Sequence, residues 1–412
     1  MNAILKSAAP EASLLSQVAL SYSPVIDRQR SVSATRLTVF PLLPGAPLDA
    51  AALLREVGAV WPEGGGQVSL NVLSENLLAD LLQAEPSANV MIEVPAFMAA
   101  DPAHTAAIVA LHARGNTLLI KGRPLRELPR EVLPCFKHSI IDLADDRRVG
   151  ETTPAAGVAR NIGFIQSGVA RLADMEASFG RGAIAVLGWP MDDAIAHAAA
   201  SGKPSNTKAA APDLQVMVEL IHKVDQAEPI EKLEATLKRD PTLAFKLMRY
   251  INSPAFGLSV EISSFRHAIM LLGYTRLKRW LALLLATGSK DVNLKPVMFA
   301  AVRRGMLMEE LVRHTGDDEM QGELFICGVF SLLDRMFKQP FAELLQTIPV
   351  PERVYQALAA GTGPYAPYCR LVQAVEGDAL DSIREGCDAL LMDPAEINRG
   401  LMKALANAAT LD

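Results

Sequence analysis

In the first half of the chain, short runs rich in β-branched and other apolar residues alternate with stretches whose apolar positions recur every three or four residues. The first pattern is typical of buried strands and the second of amphipathic helices. The predicted strands are 22–26, 36–40, 67–71, 90–94, 117–121, 139–143, 162–166 and 183–187. The predicted helices between them are 48–57, 75–83, 102–113, 171–179 and 192–200. Because parallel strands need helical crossovers, this alternation predicts an α/β fold, a (β/α)8 TIM-type barrel.

Two features interrupt the alternation. The first two strands are joined only by residues 27–33, which is hairpin length, so this pair is predicted to be antiparallel. A stretch of Gly, Pro, Ser and Asn among short side chains ends near residue 213 and predicts a flexible linker. We therefore expect a barrel over 1–200, a linker over 201–213 and a second domain over 214–412.

The second domain carries no strand pattern and is predicted to be all-α. Asp240 can cap a helix whose first residue is Pro241, and Asn252-Ser253 before a proline should end that helix. The predicted helices are 214–227, 230–238, 241–251, 265–272, 276–285, 296–313, 322–337 and 352–360.

Composition narrows the class of protein without naming a function. The chain has 412 residues and a formal net charge of −6, and aromatic residues make up 5%. A dedicated nucleic-acid binder usually has a basic excess and aromatic stacking platforms, so we expect no nucleic-acid partner. No apolar run approaches the roughly 20 residues of a membrane span, and the N-terminal stretch lacks the apolar core of a signal peptide. Four scattered cysteines without a CxxC pair suggest reduced thiols, and a cytoplasmic location is expected.

Common catalytic signatures are missing from the sequence. There is no Walker A loop, no GxSxG elbow and no HExxH helix, and none of the seven histidines is followed by Asp. A His-rich dimetal site in the helical half is therefore not expected. Arg28 and Arg30, in the predicted hairpin, are expected to be solvated or to meet a partner.

The segment 230–284 carries a specific set of spaced residues. They are Asp240-Pro241, Leu247, Asn252-Ser253, Phe256-Gly257, Ile262, Ala268-Ile269 and Leu272-Gly273. This pattern closely resembles the HDOD domain, a regulatory and protein-interaction module related to HD phosphohydrolases but without their metal-binding His and Asp. The resemblance implies mainly structural roles for these positions, and Asn252-Ser253 is interpreted as a helix stop rather than a binding site.

The barrel half carries polar residues at or near strand ends. They are Asn71, Glu93, Lys121, Arg123 and Asp142, and Pro24-Val25-Ile26-Asp27 lies in the opening strand. In this order the barrel resembles a degenerate EAL domain, the cyclic-di-GMP phosphodiesterase fold, whose barrel also begins with an antiparallel strand pair. The resemblance, with the HDOD neighbour, implies an EAL–HDOD signalling protein of bacteria.

Departures from the EAL pattern bear on catalysis. Thr35 is interpreted as standing at the name-giving glutamate, Lys121-Gly122-Arg123 replaces Asp-Asp-Phe, and 166–170 lacks both expected carboxylates. Metal-assisted phosphodiester hydrolysis needs carboxylates that hold divalent cations. Lys121 would also place a positive charge where the metals should bind. Two positive charges about 4 Å apart repel each other by about 4 kcal/mol at an effective dielectric of 20. The resemblance therefore implies a barrel without catalysis, metal or other cofactor.

Three functions remain open from the sequence. The leading hypothesis is a non-catalytic regulatory protein that binds other signalling proteins, such as a histidine kinase, response regulator or diguanylate cyclase. The alternative is a metal-independent cyclic-di-GMP receptor whose phosphate ligands are Arg36, Lys121 and Arg123. The third is residual phosphodiesterase activity through Glu93, although that glutamate could instead form a surface ion pair with Lys121.

Overall fold

The N-terminal part of the chain is a closed eight-stranded barrel with strand order β1 to β8. The computed structural model describes residues 13–63, 66–146, 162–191, 212–237, 239, 265–287, 291–348 and 350–409. The strands are β1 Val18–Asp27, β2 Val32–Pro41, β3 Gln67–Val72, β4 Val90–Pro95, β5 Thr117–Lys121, β6 Phe136–Asp142, β7 Gly163–Ser167 and β8 Ala185–Leu187. The strands from β2 to β8 pair in parallel with their neighbours, and β1 is antiparallel to β2 and to β8. The predicted barrel and its antiparallel opening pair are confirmed.

Helices cover the outside of the barrel. They are α1 Ala50–Val60, α2 Glu75–Gln83, α3 Ala96–Ala99, α4 Pro102–Ala113 and α5 Leu172–Gly180. Asp49 and Asp101 begin two of them by accepting hydrogen bonds from backbone N–H groups of the first turn. The predicted helix 192–200 and most of the predicted linker lie outside the described residues.

Every described element after Pro212 is helical, as predicted. The helices are α6 Pro212–Asp225, α7 Ile230–Leu237, α8 Phe265–Thr287, α9 Lys295–Leu311, α10 Asp318–Phe330, α11 Leu333–Phe337, α12 Phe341–Thr347, α13 Glu352–Tyr355, α14 Ala366–Ala374, α15 Leu380–Leu390 and α16 Pro394–Ala409. A π-helical turn, Gln356–Ala360, follows α13 directly. The predicted helix 322–337 is two helices, α10 and α11, and the sequence reading missed α12 and α14 to α16. Asp240, Pro241, Asn252, Ser253 and Gly257 lie outside the described residues.

Gly273 divides α8 into the two helices that were predicted there. Its backbone has φ 68° and ψ 171°, outside the helical region. A positive φ is strained for residues with a Cβ and free of that penalty for glycine. The HDOD-type position Gly273 therefore has a structural role, since it permits the kink between the two halves of α8.

The seam between β1 and β8 is only partly closed by strand pairing. Because β8 has three residues, it pairs with Val25–Asp27 and leaves the N-terminal part of β1 without a strand neighbour on that side. The Leu20 N–H donates instead to Asn398 Oδ1 at 3.0 Å, and the Tyr22 N–H donates to the Val375 carbonyl at 2.9 Å. Pro24, next on the same edge, has no N–H to satisfy. The C-terminal helices thus complete the barrel wall.

Asn398 stabilises this contact through both the oxygen and the nitrogen of its side-chain amide. Besides accepting from Leu20, it donates through Nδ2 to the carbonyls of Leu15 and Val18 at 2.8 and 2.7 Å. Its side chain is buried, with 2% exposure. An amide can accept and donate at once, so one side chain here replaces several backbone partners of a missing strand. A single hydrophobic cluster also joins the barrel helices to α9, α10 and α14 to α16.

Glu376, after α14, links three parts of the fold. Its carboxylate accepts two hydrogen bonds from Arg304 of α9 at 2.8 and 2.6 Å, and Tyr22 Oη lies 3.3 Å from Oε1. The Trp189 indole N–H donates to its backbone carbonyl at 2.8 Å. Arg304 and Glu376 are both buried, so each depends on the other for charge compensation. Burial, with the charge of Glu376, raises the pKa of the Tyr22 phenol well above its ordinary value.

Both hairpin arginines make hydrogen bonds within the chain. Arg28 is exposed, as expected of a solvated residue, whereas the Arg30 side chain is only 14% exposed, which corrects the expectation for Arg30. Arg28 donates to the carbonyls of Ala183 and Phe179 at 2.9 and 3.3 Å. Arg30 forms an ion pair with Glu176 and donates to Asn293 Oδ1 at 3.3 Å. Within the described residues, no helix combines the length and apolar character that crossing a membrane demands.

We predict that Asn398→Ala lowers the free energy of unfolding by about 2–4 kcal/mol, because buried backbone groups of β1 lose their partners. Urea denaturation followed by tryptophan fluorescence measures this change. Arg399→Ala, at the exposed neighbouring position on α16, is the matched control and should stay within about 0.5 kcal/mol of the wild type. Equal effects of the two substitutions would contradict this account of the seam.

Candidate functional site

The predicted site residues lie toward the carboxyl ends of the parallel strands, where barrel proteins place their functional groups. The barrel interior is apolar at one level, with Val25, Ala34, Met91, Leu119, Ile140, Ile165, Ala185 and Leu187 in one buried cluster. Polar side chains occupy the next inward-facing positions of β2 to β6. We call this set of residues the barrel mouth: Arg36, Thr38, Ser69, Asn71, Glu93, Lys121 and Asp142.

Glu93 is held by a buried ion pair with Arg36. The guanidinium donates from Nε and Nη2 to Oε1 and Oε2 at 2.9 and 2.7 Å, and Ser69 Oγ donates to Oε1 at 2.9 Å. The side chains of Arg36 and Glu93 are 8% and 0% exposed. Fork-shaped pairing of this kind is strong and directional, and in a buried site neither partner can be removed without leaving an uncompensated charge.

Lys121 forms a second contact within the barrel mouth. Its ammonium donates to Asn71 Oδ1 at 2.6 Å, and the Asn71 amide donates in turn to Thr38 Oγ1 at 3.2 Å. Glu93 therefore pairs with Arg36, and the predicted surface ion pair between Glu93 and Lys121 is wrong. The strand register brings β2 and β4 side chains together across β3, which sequence spacing does not reveal.

The charges of the barrel mouth influence one another. Burial lowers the pKa of Lys121 and the Arg36 charge adds to this, while Glu93 and Asp378 oppose it. Burial also acts to lower the pKa of Arg36, but Glu93, with smaller contributions from Asp378 and Asp142, raises it above its ordinary value. Asp378 belongs to the turn between α14 and α15, so the C-terminal helices contribute a carboxylate to the field of the barrel mouth.

Asp142 and Arg123 make separate local contacts at the same end of the barrel. Asp142 accepts from the Ala144 N–H at 2.9 Å and from Ser167 Oγ at 3.2 Å. A Cβ on Gly168 would lie 3.0 Å from Asp142 Oδ2, and this glycine has φ 74°. Arg123 Nη2 lies 3.6 Å from Asp146 Oδ1. Asp142 therefore stabilises the turn after β6, and Arg123 faces a different carboxylate from the one that Arg36 binds.

Of the predicted site residues, Asn71, Glu93 and Lys121 come together, whereas Asp142 and Arg123 make contacts of their own. The residue of β2 that reaches Glu93 is Arg36 rather than its neighbour Thr35. Sequence reasoning missed Ser69, Thr38 and Asp378 as members of this network. Strict alternation along β2 and β3 would have identified the first two, since inward-facing positions recur every second residue.

Several oxygen atoms of the barrel mouth already accept hydrogen bonds from side chains of the protein. Both Glu93 oxygens accept from Arg36, and Asn71 Oδ1 accepts from Lys121. Among the described residues, no three His, Cys, Asp or Glu side chains assemble as a metal site would require.

Comparisons with known proteins place this geometry in context. The family model of the HDOD domain matches residues 211–345. "Uncharacterized protein YuxH" of Bacillus subtilis is 29% identical over 174 residues, which cover 40% of this chain and 42% of that protein. "Cyclic di-GMP phosphodiesterase CdgJ" of Vibrio cholerae is 25% identical over 194 residues, which cover 47% of this chain and 45% of that protein. The chain thus spans less than half the length of either curated relative.

The HDOD match confirms that the helical half contains an HDOD domain. It leaves two regions outside its range, the barrel and the segment 346–412 that carries α14 to α16. The closed barrel confirms the fold class predicted for the first half, while its EAL character stays a prediction.

We predict that Arg36→Met lowers the free energy of unfolding by about 3–5 kcal/mol, because the Glu93 carboxylate stays buried without its counter-charge. Arg55→Met is the matched control: Arg55 lies 3.8 Å from Asp49 with both side chains exposed, so its loss should cost under about 1 kcal/mol. Chemical denaturation measures both.

The double variant Arg36→Met/Glu93→Met completes this test. Removing both charges leaves no buried ion, so the double variant should recover most of the stability that Arg36→Met loses. A double variant less stable than Arg36→Met would contradict the pairing of these two residues.

Lys121 gives a prediction that depends on pH. Because burial lowers its pKa, the unfolded chain binds this proton more readily between the lowered value and 10.5, the ordinary lysine value. The wild type should therefore gain stability relative to Lys121→Met as pH rises toward 10.5. Denaturation curves at several pH values measure this difference. A stability difference that stays the same at every pH would contradict the assignment.

Proposed function

We propose that this protein is a non-catalytic regulatory component of cyclic-di-GMP-related signalling and that it acts by binding other signalling proteins. The HDOD domain and the similarity to a relative named as a cyclic di-GMP phosphodiesterase support the signalling context. The observation that carries the proposal is the buried ion pair between Arg36 and Glu93. A histidine kinase, a response regulator or a diguanylate cyclase is the partner class that this proposal expects.

The residues of the barrel mouth do not fit the divalent metal that an EAL phosphodiesterase requires. Such a metal needs carboxylate and carbonyl oxygens with lone pairs directed at it. In this barrel the Glu93 oxygens accept from Arg36 and Ser69, and the Lys121 ammonium is bound to Asn71. A cation brought to Glu93 would have to displace a guanidinium from a buried site, which supports a barrel without hydrolytic chemistry.

Exposed apolar side chains at one end of the barrel support a role in protein binding. Each follows the carboxyl end of one of four consecutive strands, β2 to β5, so all four lie at the same end as the barrel mouth. They are Leu43, Leu73, Phe97 and Leu125, with exposures of 70%, 47%, 58% and 96%. We call this set the apolar rim. Exposed apolar groups that cluster on a monomer surface are typical of interaction sites.

Incubation of the purified protein with cyclic di-GMP and Mg²⁺ or Mn²⁺ tests the absence of catalysis. The expected result is no linear dinucleotide product by chromatography. Turnover by the wild type that is lost in Glu93→Gln would contradict the proposal, because it would identify Glu93 as part of a catalytic site.

Affinity capture from a lysate of the native host tests the apolar rim. The wild type and Met270→Ser should retain the same signalling protein, since Met270 is 67% exposed but lies in the helical half. The double variant Phe97→Ser/Leu125→Ser should lose it. Retention of that partner by the double variant, or no reproducible partner for the wild type, would contradict this assignment.

A cyclic-di-GMP receptor without metal is the second candidate function. Arg123 favours it, because its side chain is 34% exposed and its buried Nε has no hydrogen-bond partner among the described residues. Lys121 is its neighbour at the end of β5, and Arg and Lys side chains can hold phosphates without a metal. Isothermal titration with cyclic di-GMP, with and without Mg²⁺, should give a binding signal that Arg123→Ala removes. No heat at high ligand concentration would exclude the receptor.

A further inference from the structure

Two cysteine thiols lie next to each other where the HDOD-matched segment meets the C-terminal helices. Cys327 lies on α10 and Cys369 on α14, and their Sγ atoms are 3.6 Å apart. Cys327 is fully buried, whereas Cys369 is partly exposed. A disulfide needs the sulfur atoms about 2 Å apart, so the two side chains must come closer than their present contact to form the bond.

The surroundings make the two thiols chemically different. The hydrogen bond between Cys369 and Cys327, helped by the charges of Arg304 and Arg370, lowers the pKa of Cys369. The same contact, together with burial, raises the pKa of Cys327. Since the thiolate is the nucleophile, Cys369 is both the more reactive and the more accessible of the two.

We propose that Cys327 and Cys369 are a reversible oxidation site at which a hydroperoxide forms an intramolecular disulfide between α10 and α14. In the first step the Cys369 thiolate attacks the peroxide oxygen, which gives a sulfenic acid and releases the reduced leaving group as hydroxide or alkoxide. In the second step the Cys327 sulfur attacks the Cys369 sulfur, and the sulfenic hydroxyl leaves as water with the Cys327 proton. The two thiols are together oxidised by two electrons, and the peroxide is reduced.

The position of the pair gives the bond a structural consequence. Val375 and Glu376, which bind β1 and Arg304, follow Cys369 within two turns of chain. A covalent link from α14 to α10 would hold these residues against β1 more firmly than packing alone. The sequence interval of 42 residues between the cysteines also makes the link effective, because longer loops lose more freedom on closure.

Cys135 and Cys387 provide internal controls, since both are buried free thiols and neither takes part in the thiol–thiol contact between Cys327 and Cys369. The variant Cys135→Ala/Cys387→Ala should lose two hydrogen masses after hydrogen peroxide treatment, by intact mass under non-reducing conditions. Peptide mapping should join the segments that contain Cys327 and Cys369, and dithiothreitol should reverse both results. The same variant with Cys369→Ser added should form no intramolecular disulfide.

Two further readouts make the outcome decisive. The oxidised protein should melt several degrees higher than the reduced protein, and amide hydrogen exchange in β1 should slow on oxidation. Cys327→Ala with Cys369 retained should stop at the sulfenic acid, which a dimedone adduct detects. A peroxide-treated pair that keeps both thiols free would overturn the proposal, as would a disulfide in the wild type that joins Cys135 or Cys387 in place of this pair. Unchanged exchange in β1 would overturn the structural consequence.

Discussion

The unpaired edge of β1 is the constraint on which the rest of this structure depends. Buried backbone N–H and C=O groups need hydrogen-bond partners, and a barrel normally supplies them by closing on itself. Here β8 reaches only as far as Val25–Asp27, so Leu20 and Tyr22 take partners from Asn398 and Val375. The C-terminal helices are therefore part of the barrel wall, and one hydrophobic cluster joins the barrel to α9, α10 and α14 to α16.

The contact between β1 and the C-terminal helices also connects the helical half to the charges inside the barrel. Glu376 binds Arg304 of α9. The charge of Asp378, two residues later, makes a small contribution to the raised pKa of Arg36 and opposes the burial that lowers the pKa of Lys121. The turn between α14 and α15 thus lies between the two halves and influences both. A displacement of this turn would change the hydrogen bonds of β1 and the field of the barrel mouth together. It would act as a regulatory element only if it had two stable arrangements that partners distinguish.

Local patterns in the sequence predicted the barrel because strands, crossovers and hairpin lengths are local properties. The eight strands, the antiparallel opening pair and the break at Gly273 were all visible in this way. The pairing of residues far apart in the chain was not visible in local patterns. Leu20 and Asn398 are 378 positions apart, and nothing near either residue indicates the other. Likewise, the strand register brings Glu93 next to Arg36, 57 positions away, although Lys121 was the expected partner.

The ion pair of the barrel mouth also affects which parts of the barrel can distinguish one binding partner from another. A guanidinium fixed to β2 is a permanent counter-charge for Glu93, whereas a metal or a ligand is exchangeable. Because Arg36 already neutralises Glu93 in a buried pair, a cation that binds at Glu93 would have to compete with this guanidinium. Surfaces that remain exposed are then the places where binding can differ between partners. In the proposed role, the apolar rim at the ends of β2 to β5 is such a surface, and the C-terminal helices close the barrel wall at β1.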